Sequence, residues 1–140
     1  MRASAFIPAT ATAVSGDTCA FTADYLPTSS TNCQYTGTGG GRERVYYFYV
    51  DAPKIVTFSG CTAGTVFDTT AYFRSVCSDA AQQPDCNDDG CGGNLACDKG
   101  LRSSVTATLS PGLYYFFADG YDSGTSSCPC GNFSYAISGL

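Results

Sequence analysis

Residues 86–97 read CNDDGCGGNLAC and bring cysteines, an Asn-Asp-Asp run and glycines together in one short segment. Four chemistries use such residues. A phosphate loop needs a Gly-rich turn, a Lys-Ser/Thr pair and a helix start. Here Lys99 is followed by Gly100 and no helical pattern follows. A zinc or iron–sulfur centre wants about four ligands, usually as close pairs. Cys86, Cys91 and Cys97 are spaced more widely than that, and Cys128 or Cys130 would have to complete the set. Calcium takes about 6–8 oxygens from flexible loops. Asn87, Asp88 and Asp89 offer such oxygens, but the EF-hand spacing is absent, so Asp68, Asp119 or Asp122 would have to join from other loops. Ca2+ is therefore the one cofactor the residues suggest. The alternative use of these aspartates is in Asx turns that cap strand ends. The fourth chemistry is disulfide formation.

Cysteine usage favours the fourth. The chain has nine cysteines in 140 residues and no histidine. Zinc cannot absorb so many cysteines without histidine or paired knuckles, and disulfides belong to an oxidising compartment. The expectation is a secreted or cell-surface protein. Cys77 and Cys86 flank the polar stretch SDAAQQPD and are the first expected bridge. Closing such a loop stabilises by about 2–3 kcal/mol. An odd count leaves at least one thiol free or bonded to another chain.

Other activities find little support. Nucleophilic triads need a base, and histidine is missing. The carboxylates are almost all Asp, with Glu43 between Arg42 and Arg44. A glycosidase pair such as Asp88/Asp89 or Asp119/Asp122 has a simpler use in turns. No catalytic residue is assigned. The formal net charge of -5 argues against nucleic acid, heparin or an anionic membrane as partner. No apolar run reaches membrane-spanning length, so no membrane insertion is expected.

The elements that must position these residues are strands. VYYFYV (45–50), KIVTFSGC (54–61), DTTAYFRS (68–75), SSVTATL (103–109), LYYFFADGY (113–121) and NFSYAIS (132–138) are β-prone, with Gly, Pro and Asp turns between them. An early strand is expected near Cys19–Tyr25. In 103–109, Val105, Ala107 and Leu109 point one way and Thr106 and Thr108 the other. Residues 113–121 are apolar on both faces, as near a sheet centre. The fold class is all-β: a disulfide-stabilised antiparallel β-sandwich. Residues 1–15 read as an extended arm or linker and 16–140 as the domain. Residues 1–16 look faintly like a signal peptide, but Pro8 and several Thr interrupt the apolar stretch. The expectation is that any signal lies outside this sequence, or that this is a segment of a longer secreted protein.

Several motifs occur in a familiar order: GDTC (16–19), RVYYFYVDAP (44–53), SGC…FDTTAYFRSVCS (59–78), CNDDG (86–90), LRSSVTATLSPGLYYFFADGY (101–121) and GNFSYAISG (131–139). Together they resemble the bacterial pre-peptidase C-terminal domain and its cysteine-rich secreted relatives. The resemblance implies a jelly-roll-like sandwich in a secreted protein, similar to collagen-binding modules, some of which bind calcium. It also implies Cys19–Cys33 and Cys61–Cys91 bridges. Cys97 would then pair with Cys128 or Cys130, leaving the other as the odd thiol. The extra cysteines and the arm depart from the family pattern.

The function these readings imply is a non-catalytic extracellular module for adhesion or substrate targeting. Its partner would be an extracellular polysaccharide or a protein fibre. The tyrosines Tyr46, Tyr72, Tyr115 and Tyr121 are candidate contact residues, since rings exposed on a flat sheet stack on sugars or grip extended chains. The competing use of each ring is in the core. The alternative is a structural subunit of an extracellular filament or surface assembly, whose arm pairs with a neighbouring copy. Asn132 begins an N-glycosylation sequon for a eukaryotic host.

Overall fold

A computed structural model describes residues 4–31, 33, 40–91, 101–122 and 129–140. Its strands are β1 (Ala5–Phe6), β2 (Ala13–Asp17), β3 (Arg44–Val50), β4 (Lys54–Ser59), β5 (Thr69–Arg74), β6 (Asp85–Asn87), β7 (Ser104–Leu109), β8 (Gly112–Gly120) and β9 (Asn132–Ser138). They form a five-stranded sheet in the order β1-β3-β8-β5-β6 and a four-stranded sheet in the order β2-β9-β4-β7. The pairings are antiparallel except β1 with β3, which is parallel. The all-β sandwich read from the sequence is the observed architecture.

Alternation along each strand builds the core. Tyr46, Phe48 and Val50 of β3 and Tyr114, Phe116 and Ala118 of β8 face inward. Across the gap they meet Val56 and Phe58 of β4, Val105 and Leu109 of β7, and Phe133, Tyr135 and Ile137 of β9. The Phe58 and Phe116 ring centroids lie 4.4 Å apart, and Phe116 meets Tyr135 edge-on at 5.0 Å. Such ring pairs add about 0.5–1.5 kcal/mol beyond area burial.

The five-stranded sheet is also covered on part of its outer face. Tyr72, Phe117, Cys33, Cys77 and Cys86 form a second buried cluster there, roofed by Tyr25. This explains why β8 is apolar on both faces: it is the middle strand of five.

Two expectations need correction. The early strand near Cys19–Tyr25 is absent; that stretch is a 3-10 turn, Thr18–Ala20, followed by irregular chain. Strands lie before it instead, in the arm. β1 adds to the first sheet, β2 adds to the second, and Ile7 between them is 3% exposed. The boundary drawn at residue 15 runs through β2. Ala/Thr composition hides this, because the arm's alternation is irregular and Pro8 sits between the two strands.

The disulfides also differ from the expected set. Cys61–Cys91 is present and ties the end of β4 to the segment after β6, linking the two sheets. Cys19 pairs with Cys130, not Cys33. The reason is local: Thr18 N–H donates to Gly131 O at 3.0 Å, and Gly131 N–H donates to Thr18 Oγ1 at 3.0 Å, which holds the Thr18–Ala20 turn against the segment before β9. Cys86 pairs with Cys33, not Cys77. Cys86 sits on β6 opposite Tyr72 and faces the crossing 21–33 loop. The segment from Cys77 is occupied by its own turn, with Ser75 N–H donating to Gln82 O at 3.0 Å. Cys77 is the buried free thiol among the described residues. Cys130 is therefore not a partner for Cys97. Cys97 and Cys128 lie outside the described residues.

Candidate functional site

Two surfaces collect the residues that could act. The first is acidic. β5 and β6 pair with Ala71 opposite Asn87, so Asp68 before β5 comes beside Asp88 and Asp89 after β6. One carboxylate oxygen from each of these three lies within 4.8 Å of the others. Thr70 donates its hydroxyl to Asp88 Oδ1 at 3.2 Å. Burial pushes the Asp88 carboxyl up to about 7, and the charges of Asp89 and Asp68 push in the same direction. The donor set is all hard oxygen, which suits a divalent cation such as calcium.

The other two expected ligands do not join this cluster. Asn87 Oδ1 accepts from Gly90 N–H and Ser104 N–H, both at 2.8 Å, and so fastens β6 to β7. A Cβ at Gly90 would sit 2.4 Å from that oxygen, so glycine is required for the close approach. Asp119 is 1% exposed, and its Oδ2 accepts from the Tyr72 hydroxyl at 3.0 Å.

The second surface is aromatic. On the outer face of the five-stranded sheet, beyond the roofed cluster, Tyr47 of β3 lies between Phe6 of β1 and Tyr115 of β8. One row along, Tyr49 lies opposite Leu113. Phe6 is 56% exposed, Tyr49 58% and Leu113 45%, with Tyr47 and Tyr115 half-buried. The Phe6 and Tyr47 ring centroids are 5.3 Å apart. Strand spacing of about 4.8 Å and a same-face repeat of about 7 Å make this a flat, mostly ring-paved strip.

Of the four tyrosines singled out in the sequence, Tyr115 lies on the strip. Tyr46 is on the opposite face, in the core, its hydroxyl donating to Ser15 O at 3.1 Å. Tyr72 is fully buried under the 21–33 loop. Tyr121 is half-buried past the other end of β8, its N–H donating to Asp68 O. Phe6, Tyr47, Tyr49 and Leu113 are the residues that sequence reading missed. The signal was the period-2 alternation of VYYFYV, in which Tyr47 and Tyr49 oppose Tyr46, Phe48 and Val50. Both faces of that run are apolar, so composition does not say which faces out. Asn132 is exposed as the first residue of β9.

The fold itself has a solved counterpart. The crystal structure of the pre-peptidase C-terminal domain of collagenase from Bacillus anthracis superposes with a TM-score of 0.55 at 17% identity, over 97% of this chain and 95% of that one. This chain has the pre-peptidase C-terminal domain fold. No family model matches it, and neither does any curated protein sequence. The pre-peptidase C-terminal fold places the acidic cluster at the β5–β6 end of the first sheet and the aromatic strip at its β1–β3 side. Among the described residues, no helix is long and apolar enough to cross a membrane.

Proposed function

We propose that the chain is a non-catalytic extracellular module that holds a secreted or surface protein to a polymer, either a polysaccharide or a protein fibre. The single observation that carries this reading is the exposed strip of Phe6, Tyr47, Tyr49, Leu113 and Tyr115. The exposed side chains Phe6, Tyr49 and Leu113 cost solubility and add little to the core, so their grouping with the half-buried Tyr47 and Tyr115 on one face points to a partner. The three bridged cysteine pairs among the described residues support an oxidising location. The lack of histidine, with a buried thiol at Cys77, fits holding better than chemistry. One solved structure with this fold is a domain of a collagenase. The filament-subunit reading has less support, since the arm's strands pair here within their own chain.

Sedimentation with insoluble polysaccharides and protein fibres tests the proposal. The wild type is expected to co-sediment with at least one of them. Tyr47→Ala and Tyr49→Ala should each weaken that binding about tenfold or more, equivalent to about 1.4 kcal/mol or more. Equal retention of wild type and variants would remove the strip from the reading. A chain that instead forms large oligomers without any polymer would favour the filament alternative.

We also propose that Asp68, Asp88 and Asp89 take a calcium ion. Saturating calcium should raise the melting temperature by about 5–10 °C, and Asp88→Asn should abolish that rise. A melting curve unchanged by calcium or by chelator sinks the calcium proposal and leaves the strip untouched.

A further inference from the structure

We propose that Glu43, buried beside Asp119 beneath residues 22–26, is a pH-operated latch that sets how often this loop lifts from the outer face of the five-stranded sheet. Glu43 immediately precedes β3 and Asp119 is next to last in β8, one position beyond the Arg44–Ala118 pair on each strand. Glu43 is 4% exposed and Asp119 1%. Each carboxyl has one oxygen engaged. Glu43 Oε1 accepts from the Asp24 N–H of the loop at 2.9 Å, and Asp119 Oδ2 accepts from the Tyr72 hydroxyl. The other oxygens, Glu43 Oε2 and Asp119 Oδ1, are buried without a hydrogen-bond partner among the described residues. Two buried carboxyl groups with open oxygens cannot both ionise without water.

The loop that shuts water out is fastened at its ends, by Cys19–Cys130 before it and by Cys33–Cys86 and the bonds of Thr28 to Gln83 and Ala80 after it, so residues 22–26 are the span that can lift. Tyr25 packs edge-on against Phe117 at 5.2 Å, and Leu26 O accepts from the Arg74 guanidinium. The groups acting on the pair are Asp24 and Tyr25 from the loop and Tyr72 and Arg74 from β5, while the Cys77 thiol just beyond β5 faces the Tyr25 hydroxyl. Arg42 and Arg44, beside Glu43 in sequence, are directed elsewhere: Arg42 donates to Cys19 O, and Arg44 lies over the Phe21 and Tyr46 rings. Among the described residues Arg74 is the buried cation that acts on the pair, and a single positive charge cannot neutralise two carboxylates.

The consequence is a proton-linked opening. With the loop closed, burial first of all, and then the Asp24 charge, hold the Glu43 proton up to about 7. With the loop lifted, water reaches the carboxyl and the proton leaves near its ordinary value of 4.5. Between these limits opening releases a proton, so its equilibrium constant rises up to about tenfold per pH unit. The span from pH 4.5 to 7 allows roughly a 100-fold increase. Lifting carries Tyr25 away and uncovers Phe117 and Tyr72, an apolar floor that continues from Tyr115. The latch does not depend on the proposed binding role.

Cys77 reports on the loop. It is 6% exposed, and its Sγ lies 3.8 Å from the Tyr25 hydroxyl. The test is labelling with a neutral maleimide, with peptide mapping to Cys77. The rate is divided by that of the urea-unfolded chain at each pH, which removes the thiol's own ionisation. From pH 5 to 7.5, relative labelling of the wild type is expected to rise at least tenfold. Glu43→Gln should flatten that rise to less than threefold, and Asp88→Asn should keep it in full. A flat wild-type series overturns the latch, even if Glu43→Gln does not fold. So does a rise that survives Glu43→Gln or disappears in Asp88→Asn.

Discussion

Arg74→Ala is expected to destabilise the domain by about 3–5 kcal/mol, the largest effect of any single substitution outside the inter-sheet core. Arg74 is 2% exposed, on the outer face of β5. Its guanidinium donates to Cys77 O at 3.1 Å and to Leu26 O, so it fastens the segment after β5 and the 21–33 loop together. Its charge lies 5.0 Å from the Phe117 ring centroid, 5.1 Å from Tyr72 and 5.7 Å from Tyr25. Rings and carbonyls around the desolvated guanidinium replace part of the water it gave up, its Nε having no hydrogen-bond partner among the described residues. Truncation would leave two carbonyls unpaired, open a cavity, and remove the cation beside Glu43 and Asp119. Arg74→Met separates these terms, because it keeps apolar volume while losing charge and donors. Urea unfolding of both variants is the measurement. A loss below about 1 kcal/mol for Arg74→Ala would mean that the loop does not depend on this side chain.

The second large effect is on pH. Glu43 keeps its proton to about 7 in the folded chain, against an ordinary value of 4.5. Between those values the folded state holds a proton that the unfolded state has released. Stability from this group is therefore complete below about pH 4.5 and is lost as pH rises through about 7. The full loss is about 3 kcal/mol. Asp88, also held up to about 7, acts in the same direction when no cation is bound. Asp119 is pushed well above the usual carboxylate range, by burial first and then by the Glu43 charge, and extends the decline to higher pH. Most proteins lose stability in acid because paired carboxylates become protonated. This one is expected to unfold at lower urea at pH 8 than at pH 5. Glu43→Gln should recover about 2 kcal/mol at pH 8 and change little at pH 5. A midpoint that rises with pH over this range contradicts the assignment.

How far the sequence carried these readings depends on burial. Strands with one buried face declare themselves: residues 132–138 alternate cleanly and form β9 with the same limits. Residues 103–109 became β7 shortened by one residue. The faces of β5 also divide as read, with Ala71 and Phe73 opposite Tyr72 and Arg74, although both faces are buried. Where both faces are apolar, as in β3, the sequence does not tell which one faces out, so Tyr46, which points into the core, and Tyr47, which points outward, look alike. Short strands such as β6 (Asp85–Asn87) and β1 lack the length to show a pattern.

The site was legible in part. Asp68, Asp88 and Asp89 lie close enough to collect at one corner, because the β5–β6 pairing brings sequence neighbours together. Asn87 and Asp119 had competing partners that only the fold reveals. Disulfide pairing was the least legible feature, because it depends on which loops cross. Nothing in SDAAQQPD shows that residues 21–33 pass over Cys86 and take it from Cys77.

Radical footprinting of the domain on whichever polymer retains it tests the central claim most directly. Side-chain oxidation is read by mass spectrometry in the free and the bound state. The expected result is protection of Phe6, Tyr47, Tyr49, Leu113 and Tyr115, with Tyr121 and Ile55 of the second sheet unchanged. Protection elsewhere with the strip still oxidised, or failure of every polysaccharide and fibre to retain the domain, would contradict it.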